Sequence, residues 1–154
     1  MRQLRPIAVV LAVAALTVPA AVFATADSRD TAAPEPRAES ATAALVKKLS
    51  TSQFGNVLVT PGFQALYYWT PEKRNPGEIL CTGACARAWP PLYVKKGVVV
   101  PRRIAGFRGT FGTIVRPNGR RQLTYNRLPL YTYAHEGPRQ VLCDDVDGWF
   151  VVRV

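Results

Sequence analysis

A short strand sequence occurs twice in this chain, with the two copies 64 residues apart. Residues 66–72 read Leu-Tyr-Tyr-Trp-Thr-Pro-Glu, and residues 130–136 read Leu-Tyr-Thr-Tyr-Ala-His-Glu. Because side chains alternate between the faces of a strand, the tyrosine and the aromatic residue two positions later share one face, and the leucine lies on the other. The repeated motif consists of Tyr67, Trp69 and Glu72 in the first copy and Tyr131, Tyr133 and Glu136 in the second. This repetition predicts two related folding units.

The C-terminal two thirds of the chain consists of short β-type runs separated by turn residues. The predicted strands are 56–60, 64–69, 98–100, 110–115, 122–125, 129–134 and 149–154. A turn is expected at 60–63 with positive φ at Gly62, and a hairpin turn is expected with Asn118 and Gly119 in left-handed conformations. The pattern predicts an all-β fold, a small antiparallel β domain built from two related hairpin units.

The N-terminus has the three parts of a secretory signal peptide, which we assign to residues 1–26. Two arginines precede an unbroken apolar run at 7–16, and small residues follow it. Cleavage is predicted after Ala26, with Ala24 as the alternative site. An uncleaved membrane anchor is a second interpretation, although the apolar stretch barely reaches the length needed to span a bilayer. No cysteine lies near the cleavage site, so the protein is predicted to be secreted and not lipid-anchored.

Residues 27–50 are predicted to form a flexible linker. They are rich in Ala, Thr, Ser, Pro and Glu, and the sequence Pro34-Glu35-Pro36 blocks regular structure. A short helix at 41–49 is the alternative for the end of this segment. The remaining residues, 51–154, then form one small two-repeat domain.

The formal net charge of +10 lies mainly in the predicted domain, which carries 14 basic and 6 acidic residues. A basic domain attracts polyanions, and outside a cell these are anionic cell-wall polymers or a membrane surface. No nucleic-acid-binding signature accompanies the charge. The other interpretation is a solvated basic surface without a specific partner. The candidate anion-binding residues are Arg102, Arg103, Arg108, Arg116, Arg120, Arg121 and Arg127.

The segment between the two motif copies carries a resemblance to a known family. It reads Cys81-Thr82-Gly83-Ala84-Cys85-Ala86-Arg87-Ala88-Trp89-Pro90-Pro91-Leu92. With the tandem Tyr-x-aromatic motif, it resembles the bacterial "secreted repeat of unknown function" group, many of whose members are predicted lipoproteins. The resemblance covers about 56–154 and implies export and a repeat, but no reaction, because none is established for the group. Here the acidic motif position is glutamate rather than aspartate, and Cys143 lies where relatives usually have a glycine-rich stretch.

The three cysteines are expected to include a disulfide, because an exported protein enters an oxidising compartment. On the chain-entropy model, a bridge from either Cys81 or Cys85 to Cys143 would contribute about 4 kcal/mol, against about 2 kcal/mol for a Cys81–Cys85 bridge. The resemblance favours the short bridge, because relatives keep that pair without the third cysteine. It therefore implies a disulfide-stapled loop between the two hairpin units, with a free thiol at Cys143. A single helical turn at 84–89 is a separate expectation.

Catalytic and metal sites are weakly indicated. Glu72 and Glu136 could form an acid/base pair, but equivalent residues in two copies usually do the same local job, here accepting backbone N–H bonds near a turn. The single histidine, His135, and the lack of any methionine after Met1 exclude a cupredoxin-type copper site. A zinc site of three cysteines and this histidine is an alternative. We predict a non-enzymatic protein without a metal or cofactor.

The function predicted from the sequence is that of a secreted protein of the bacterial envelope or extracellular space, which binds an anionic polymer through an arginine-rich face. Its many aromatic residues either pack the core or form a stacking surface for glycans. The alternative is an envelope thiol-disulfide or metal-linked redox protein that uses Cys81, Cys85 and Cys143.

Overall fold

The computed structural model describes residues 45–154. In chain order the elements are β1 (Lys47–Thr51), β2 (Gly55–Val59), β3 (Tyr67–Trp69), α1 (Thr70–Arg74), α2 (Gly83–Ala88), β4 (Phe111–Val115), β5 (Arg121–Tyr125), β6 (Leu128–Pro129) and β7 (Trp149–Val151). The predicted signal peptide and the predicted linker up to residue 44 lie outside the described residues. Among residues 45–154, no helix is long and apolar enough to cross a membrane.

The strands form three small antiparallel sheets, in the orders β1–β2, β3–β7 and β4–β5–β6. Leu49 lies opposite Val57 in the first sheet, and Thr113 lies opposite Leu123 in the third. The β-branched and aromatic residues of these strands fit a pleated, half-buried surface, and the only helices of the described part are two short ones. The predicted all-β class and the hairpin units are confirmed.

The two copies of the strand motif pair directly with each other. The Tyr67 N–H donates to the Tyr131 carbonyl at 2.8 Å, and the Tyr131 N–H donates to the Tyr67 carbonyl at 3.0 Å. Equivalent residues of the two halves therefore face one another across an antiparallel pair. The two halves are therefore related by an approximate two-fold axis that passes between Tyr67 and Tyr131.

The last strand segment of each half crosses over to the other half. Val152 accepts a hydrogen bond from β2 and donates one to the Leu66 carbonyl at 2.8 Å. Leu92 accepts a hydrogen bond from β5 and donates one to the Leu130 carbonyl at 2.9 Å. Each half thus extends the strand pairing of the other, so neither half forms all of its backbone hydrogen bonds alone.

The buried side chains form two clusters on opposite faces of the motif strands. Leu66 and Leu130 lie in one cluster, with Leu58, Leu123 and other aliphatic residues. Tyr67 and Tyr131 lie in the second cluster, which also contains the two buried tryptophans. The predicted alternation of the motif residues between two faces is confirmed.

Several local predictions were wrong. The 98–100 segment forms no strand, and it follows a turn closed by the Val98 N–H and the Lys95 carbonyl at 3.2 Å. At the 60–63 turn the positive φ belongs to Phe63, at 66°, and not to Gly62. The turn between β4 and β5 places Gly119 at φ 75° but leaves Asn118 outside the left-handed region.

The folded domain also begins earlier than predicted. Strand β1 occupies 47–51, where the sequence suggested the end of a linker or a short helix. Lys47 pairs with Val59 and Thr51 pairs with Gly55, so β1 is held by the complete length of β2. The alternation of lysine, leucine and serine in β1 was too short to indicate a strand by itself.

Candidate functional site

The Cys81–Cys85 disulfide forms the loop between the two hairpin units, as predicted. The two sulfur atoms are 2.02 Å apart, and α2 begins two residues after Cys81. Cys81 and Cys143 are both buried, but Cys143 is a free cysteine. The disulfide is consistent with an oxidising, extracellular location.

The tyrosine of each motif copy binds the glutamate of the other copy. The Tyr67 hydroxyl donates to Glu136 Oε1 at 2.5 Å, and the Tyr131 hydroxyl donates to Glu72 Oε1 at 2.8 Å. All four side chains are buried, which strengthens these charge-assisted hydrogen bonds relative to an exposed pair. The sequence motif therefore describes two equivalent buried sites, each formed from both halves.

The same carboxylate oxygens also accept backbone hydrogen bonds, as the sequence predicted. Glu72 Oε1 accepts from the N–H groups of Leu80 and Cys81 at 2.9 and 3.0 Å. Glu136 Oε1 accepts from the Leu142 N–H at 2.6 Å. Each glutamate thus fixes the loop that leads into a Leu-Cys pair.

This geometry makes Cys143 the counterpart of Cys81, which the sequence analysis missed. The two loops end in Ile79-Leu80-Cys81 and in Val141-Leu142-Cys143. The second loop is two residues shorter, so the correspondence falls outside the offset of 64 that relates the strand motifs. A search for an apolar-Leu-Cys sequence after each motif would have found it.

The second carboxylate oxygen of each glutamate is buried without a hydrogen-bond partner. Burial raises the pKa of Glu136, and the hydrogen bonds from Tyr67 and Leu142 lower it in part. An ionised carboxylate with an unpaired oxygen is costly to bury, so the folded state holds the Glu136 proton more tightly than the unfolded chain does.

This shift predicts a pH dependence of stability. Because the pKa of Glu136 is raised in the folded state, binding of a proton by Glu136 contributes to the free energy of unfolding. This contribution is complete below the ordinary pKa of 4.5 and is lost as pH rises through the folded-state pKa. Glu136→Gln cannot titrate. The free energy of unfolding of the wild type is therefore expected to fall, relative to that of Glu136→Gln, as pH rises through this window.

Urea denaturation of both proteins from acidic to neutral pH measures this difference in the free energy of unfolding. The effects of the other carboxylates cancel in the difference, because both proteins contain them. A difference that does not change with pH, or that changes in the opposite direction, would contradict the prediction.

Arg116 lies inside this site and not on the surface where the sequence analysis placed it. It is only 5% exposed and donates to Gln122 Oε1 at 2.6 Å, to the Tyr131 hydroxyl at 3.3 Å and to the Cys81 carbonyl. The guanidinium joins the disulfide loop to the second-half strand β5 and the tyrosine site. The sequence analysis also missed Gln122. Arg116 and Gln122 are polar residues on either side of a hairpin turn, a pattern that is typical of an exposed hairpin, and nothing in the sequence indicates that they are buried.

Both motif tyrosines keep their hydroxyl protons. Burial raises the pKa of Tyr67 far above its usual value, and the hydrogen bond to Glu136 raises it further. Burial and the charge of Glu72 likewise raise the pKa of Tyr131, although Arg116 opposes this effect.

A column of four aromatic rings runs beside these tyrosines, in the order Trp69, Trp149, Trp89 and Tyr133. The central pair is nearly parallel at 3.9 Å between centroids, and the outer neighbours lie at 5.5 and 4.8 Å. The two tryptophans at its centre are buried, and the two end rings are half-buried. The aromatic residues therefore pack the core, which is the first of the two roles predicted for them.

Trp149 is placed in this column by a tight turn. Gly148 has φ 80°, and a Cβ at this position would lie 2.5 Å from Thr70 Oγ1, so only glycine fits. The Gly148 carbonyl accepts from the Thr70 N–H at 2.9 Å, which ties the turn to the start of α1.

The remaining predicted arginines divide into two groups. Arg120 lies over the Tyr93 ring at 3.4 Å, while Arg103 and Arg121 donate to backbone carbonyls. By contrast, the side chains of Arg102, Arg108 and Arg127 are exposed and make no hydrogen bond to residues 45–154.

Arg102 and Arg127 line one groove of about 560 Å³, together with Thr110, Asn126 and neighbouring residues of β4 and β5. No acidic residue lines this groove. Among residues 45–154, the one ion pair joins Arg153 to Asp144, so these arginines have no carboxylate partner there.

Cys143 is poorly placed for thiol chemistry. Burial raises the pKa of the Cys143 thiol, and the charges of Glu136 and Asp147 raise it further. Because the thiolate is the reactive form, this environment disfavours exchange with the disulfide. His135 is exposed beside the Tyr133 ring, and residues 45–154 contain no group of three or more potential metal ligands.

The architecture is that of a small, disulfide-stapled antiparallel β domain whose two halves exchange their last strands and their tyrosine–glutamate contacts. Comparison with protein-family models, curated proteins and solved structures finds no match for this chain.

Proposed function

We propose that this protein is an exported, non-enzymatic component of the bacterial envelope or extracellular space, and that its domain binds an anionic polymer. The observation that carries the proposal is the groove lined by Arg102 and Arg127, which have no carboxylate partner among the described residues. Arginine presents a planar fork of donors that fits phosphate or carboxylate oxygens.

The composition of the groove supports a polar ligand. Thr110 and Asn126 contribute hydroxyl and amide groups to the lining of the groove. The Asn126 side-chain oxygen accepts from the Thr110 N–H at 2.9 Å, which leaves the amide nitrogen as a donor. Arginine guanidinium and asparagine amide groups together suit a chain of anionic and hydroxyl groups.

Export and internal duplication belong to the same proposal. The signal-peptide pattern at 1–26 and the disulfide support export. The reciprocal Tyr67–Tyr131 pair and the exchanged strands support descent of both halves from one repeated unit, as membership of the secreted-repeat group would require. The cysteine-based redox alternative is weaker, because Cys143 is buried and its thiolate is disfavoured.

The test is a binding titration with two soluble probes, a short polyphosphate and a polyglutamate, at low and physiological salt. The wild type is expected to bind at least one probe, with affinity that falls as salt screens the charges. Replacing both Arg102 and Arg127 with glutamine is expected to weaken binding about tenfold or more, because charge-assisted hydrogen bonds to the ligand are lost.

The matched control replaces Arg74 and Arg87 with glutamine, because both are exposed arginines outside the groove and the net charge changes equally. Equal weakening by the two double variants would show that net charge alone attracts the probes. Absence of binding to either probe at low salt would overturn the proposal.

A further inference from the structure

The two buried tyrosines are connected to the aromatic column, and anion binding uses neither. The Tyr67 ring lies edge-on to Trp89 at 5.4 Å between centroids, and the Tyr131 ring lies edge-on to Trp149 at 5.1 Å. Each phenol is therefore one ring contact from the central tryptophan pair. These contacts place all six rings in one contiguous aromatic network.

The column reaches the surface only at its ends. Trp69 is half-buried and donates its Nε1 hydrogen to the Asp147 carbonyl at 3.1 Å. Tyr133 is half-buried and contacts the exposed His135 ring at 5.5 Å. A molecule in solution can approach the end rings, whereas Trp89 and Trp149 are 8% and 3% exposed and the phenols are fully buried.

A proton acceptor is already in place for each phenol. Loss of one electron makes a phenol strongly acidic, so its proton must move to a nearby base. Glu136 Oε1 lies 2.5 Å from the Tyr67 hydroxyl and accepts its hydrogen bond, and Oε2 of the same carboxylate has no hydrogen-bond partner. The proton can therefore move within the buried site, without access to water.

The geometry points to a one-electron oxidation site at Tyr67, reached from the surface through the tryptophan column. A one-electron oxidant, such as an oxygen-derived radical or a high-valent metal complex, takes one electron at an end ring. The electron is replaced from Tyr67, whose O–H bond breaks as its proton forms an O–H bond on the Glu136 carboxylate. The products are a reduced oxidant and a neutral tyrosyl radical. A one-electron donor at the same surface, such as a hydroquinone, restores the phenol, and the glutamate returns the proton.

Tyr67 is a better site for this step than Tyr131. Arg116 donates to the Tyr131 hydroxyl at 3.3 Å and lies 5.8 Å from its ring centroid. The positive charge of the guanidinium opposes removal of an electron from that ring, whereas no such interaction is made with Tyr67 among the described residues.

The test oxidises the full chain with a photogenerated ruthenium polypyridyl oxidant and persulfate, followed by freeze-quench electron paramagnetic resonance. The wild type is expected to give a tyrosyl signal that changes on ring-deuteration of tyrosine and disappears in Tyr67→Phe. Glu136→Gln keeps an acceptor oxygen for the phenol but is a much weaker base. The rate of radical formation is therefore expected to fall about a hundredfold in this variant, as on loss of a general base.

Three matched variants make the result specific. Glu72→Gln changes the equivalent glutamate at Tyr131 and is expected to leave most of the signal, whereas Trp89→Phe breaks the column beside Tyr67 and is expected to remove most of it. Tyr93→Phe changes a tyrosine outside the column and is expected to have no effect. A wild-type radical on Tyr93 or another ring outside the site, or equal rates in the wild type and Glu136→Gln, would overturn the inference. Ring-deuteration of tyrosine in the wild type shows whether the radical lies on a tyrosine or on a tryptophan, even if a variant fails to fold.

Discussion

Glu72→Ala is expected to lower the free energy of unfolding by about 3 kcal/mol or more, because buried donors lose their only acceptor. Glu72 Oε1 accepts hydrogen bonds from the Tyr131 hydroxyl and from the Leu80 and Cys81 N–H groups. Leu80 is 42% exposed, so water can replace its bond, but Tyr131 and Cys81 are completely buried. The change also leaves the Tyr131 hydroxyl, which still accepts from Arg116, without an acceptor for its own proton. Urea denaturation of the oxidised protein measures the loss.

The matched control is Glu78→Ala, which removes an exposed glutamate from the same loop and is expected to change stability by less than about 0.5 kcal/mol. A double-mutant cycle with Tyr131→Phe separates the tyrosine contact from the backbone contacts, and we expect a coupling energy of about 1 kcal/mol or more. If Glu72→Ala costs no more than Glu78→Ala, the carboxylate does not hold the two halves together as the structure indicates.

The contacts of the repeated motif show what a sequence can and cannot predict. Alternation along a strand places Tyr67 and Leu66 on opposite faces, and the two core clusters confirm it. The glutamates were also predicted to accept backbone N–H bonds, which they do. The exchange of partners between halves could not be predicted, because Tyr67 with Glu136 and Tyr67 with Glu72 are the same pair of residue types. Only the path of the chain in space distinguishes them.

A fixed repeat offset also hid the second part of each unit. From glutamate to cysteine the first half uses nine residues and the second half uses seven. From cysteine to tryptophan the halves use eight and six residues, so the equivalent tryptophans, Trp89 and Trp149, are 60 residues apart rather than 64. Loops tolerate such length changes at small energetic cost, while the strands that they connect keep their pairing. The sequence therefore showed that the domain is rich in aromatic residues, but not that Trp89 and Trp149 occupy equivalent positions in the two halves.

The arginine cluster illustrates a different limit. Sequence proximity suggested one basic face, yet Arg116 is buried and Arg120 covers the Tyr93 ring. A buried arginine needs several acceptors at once, and here these are Gln122 across the hairpin, the Tyr131 hydroxyl and the Cys81 carbonyl, 35 residues away in the sequence. No local pattern reveals such a set, so the groove at Arg102 and Arg127 emerges only from the folded structure.

Trp149→Ala is expected to lower the free energy of unfolding by about 3–5 kcal/mol, as is usual for loss of a buried large aromatic residue. Trp149 is 3% exposed, stacks on Trp89 at 3.9 Å and contacts Trp69 at 5.5 Å. It also meets the Tyr131 ring edge-on at 5.1 Å. The alanine variant leaves a cavity on the axis between the two halves, where neither half can collapse without moving the other. Chemical denaturation gives the loss, and near-ultraviolet circular dichroism is expected to lose the signal of the coupled indole pair.

The neighbouring Phe150 provides the control, because it lies on the same strand with its side chain on the opposite face. Phe150 is half-buried and stacks only on Tyr68, at 5.9 Å, so Phe150→Ala is expected to cost less and to preserve the indole signal. Trp149→Phe keeps most of the volume and is expected to lose the indole signal with a smaller loss of stability. Equal costs for Trp149→Ala and Phe150→Ala would mean that the tryptophan pair contributes no more than ordinary sheet packing. A larger cost for Trp149→Ala would instead show that the tryptophan pair, which lies between the two halves, stabilises the fold beyond ordinary sheet packing.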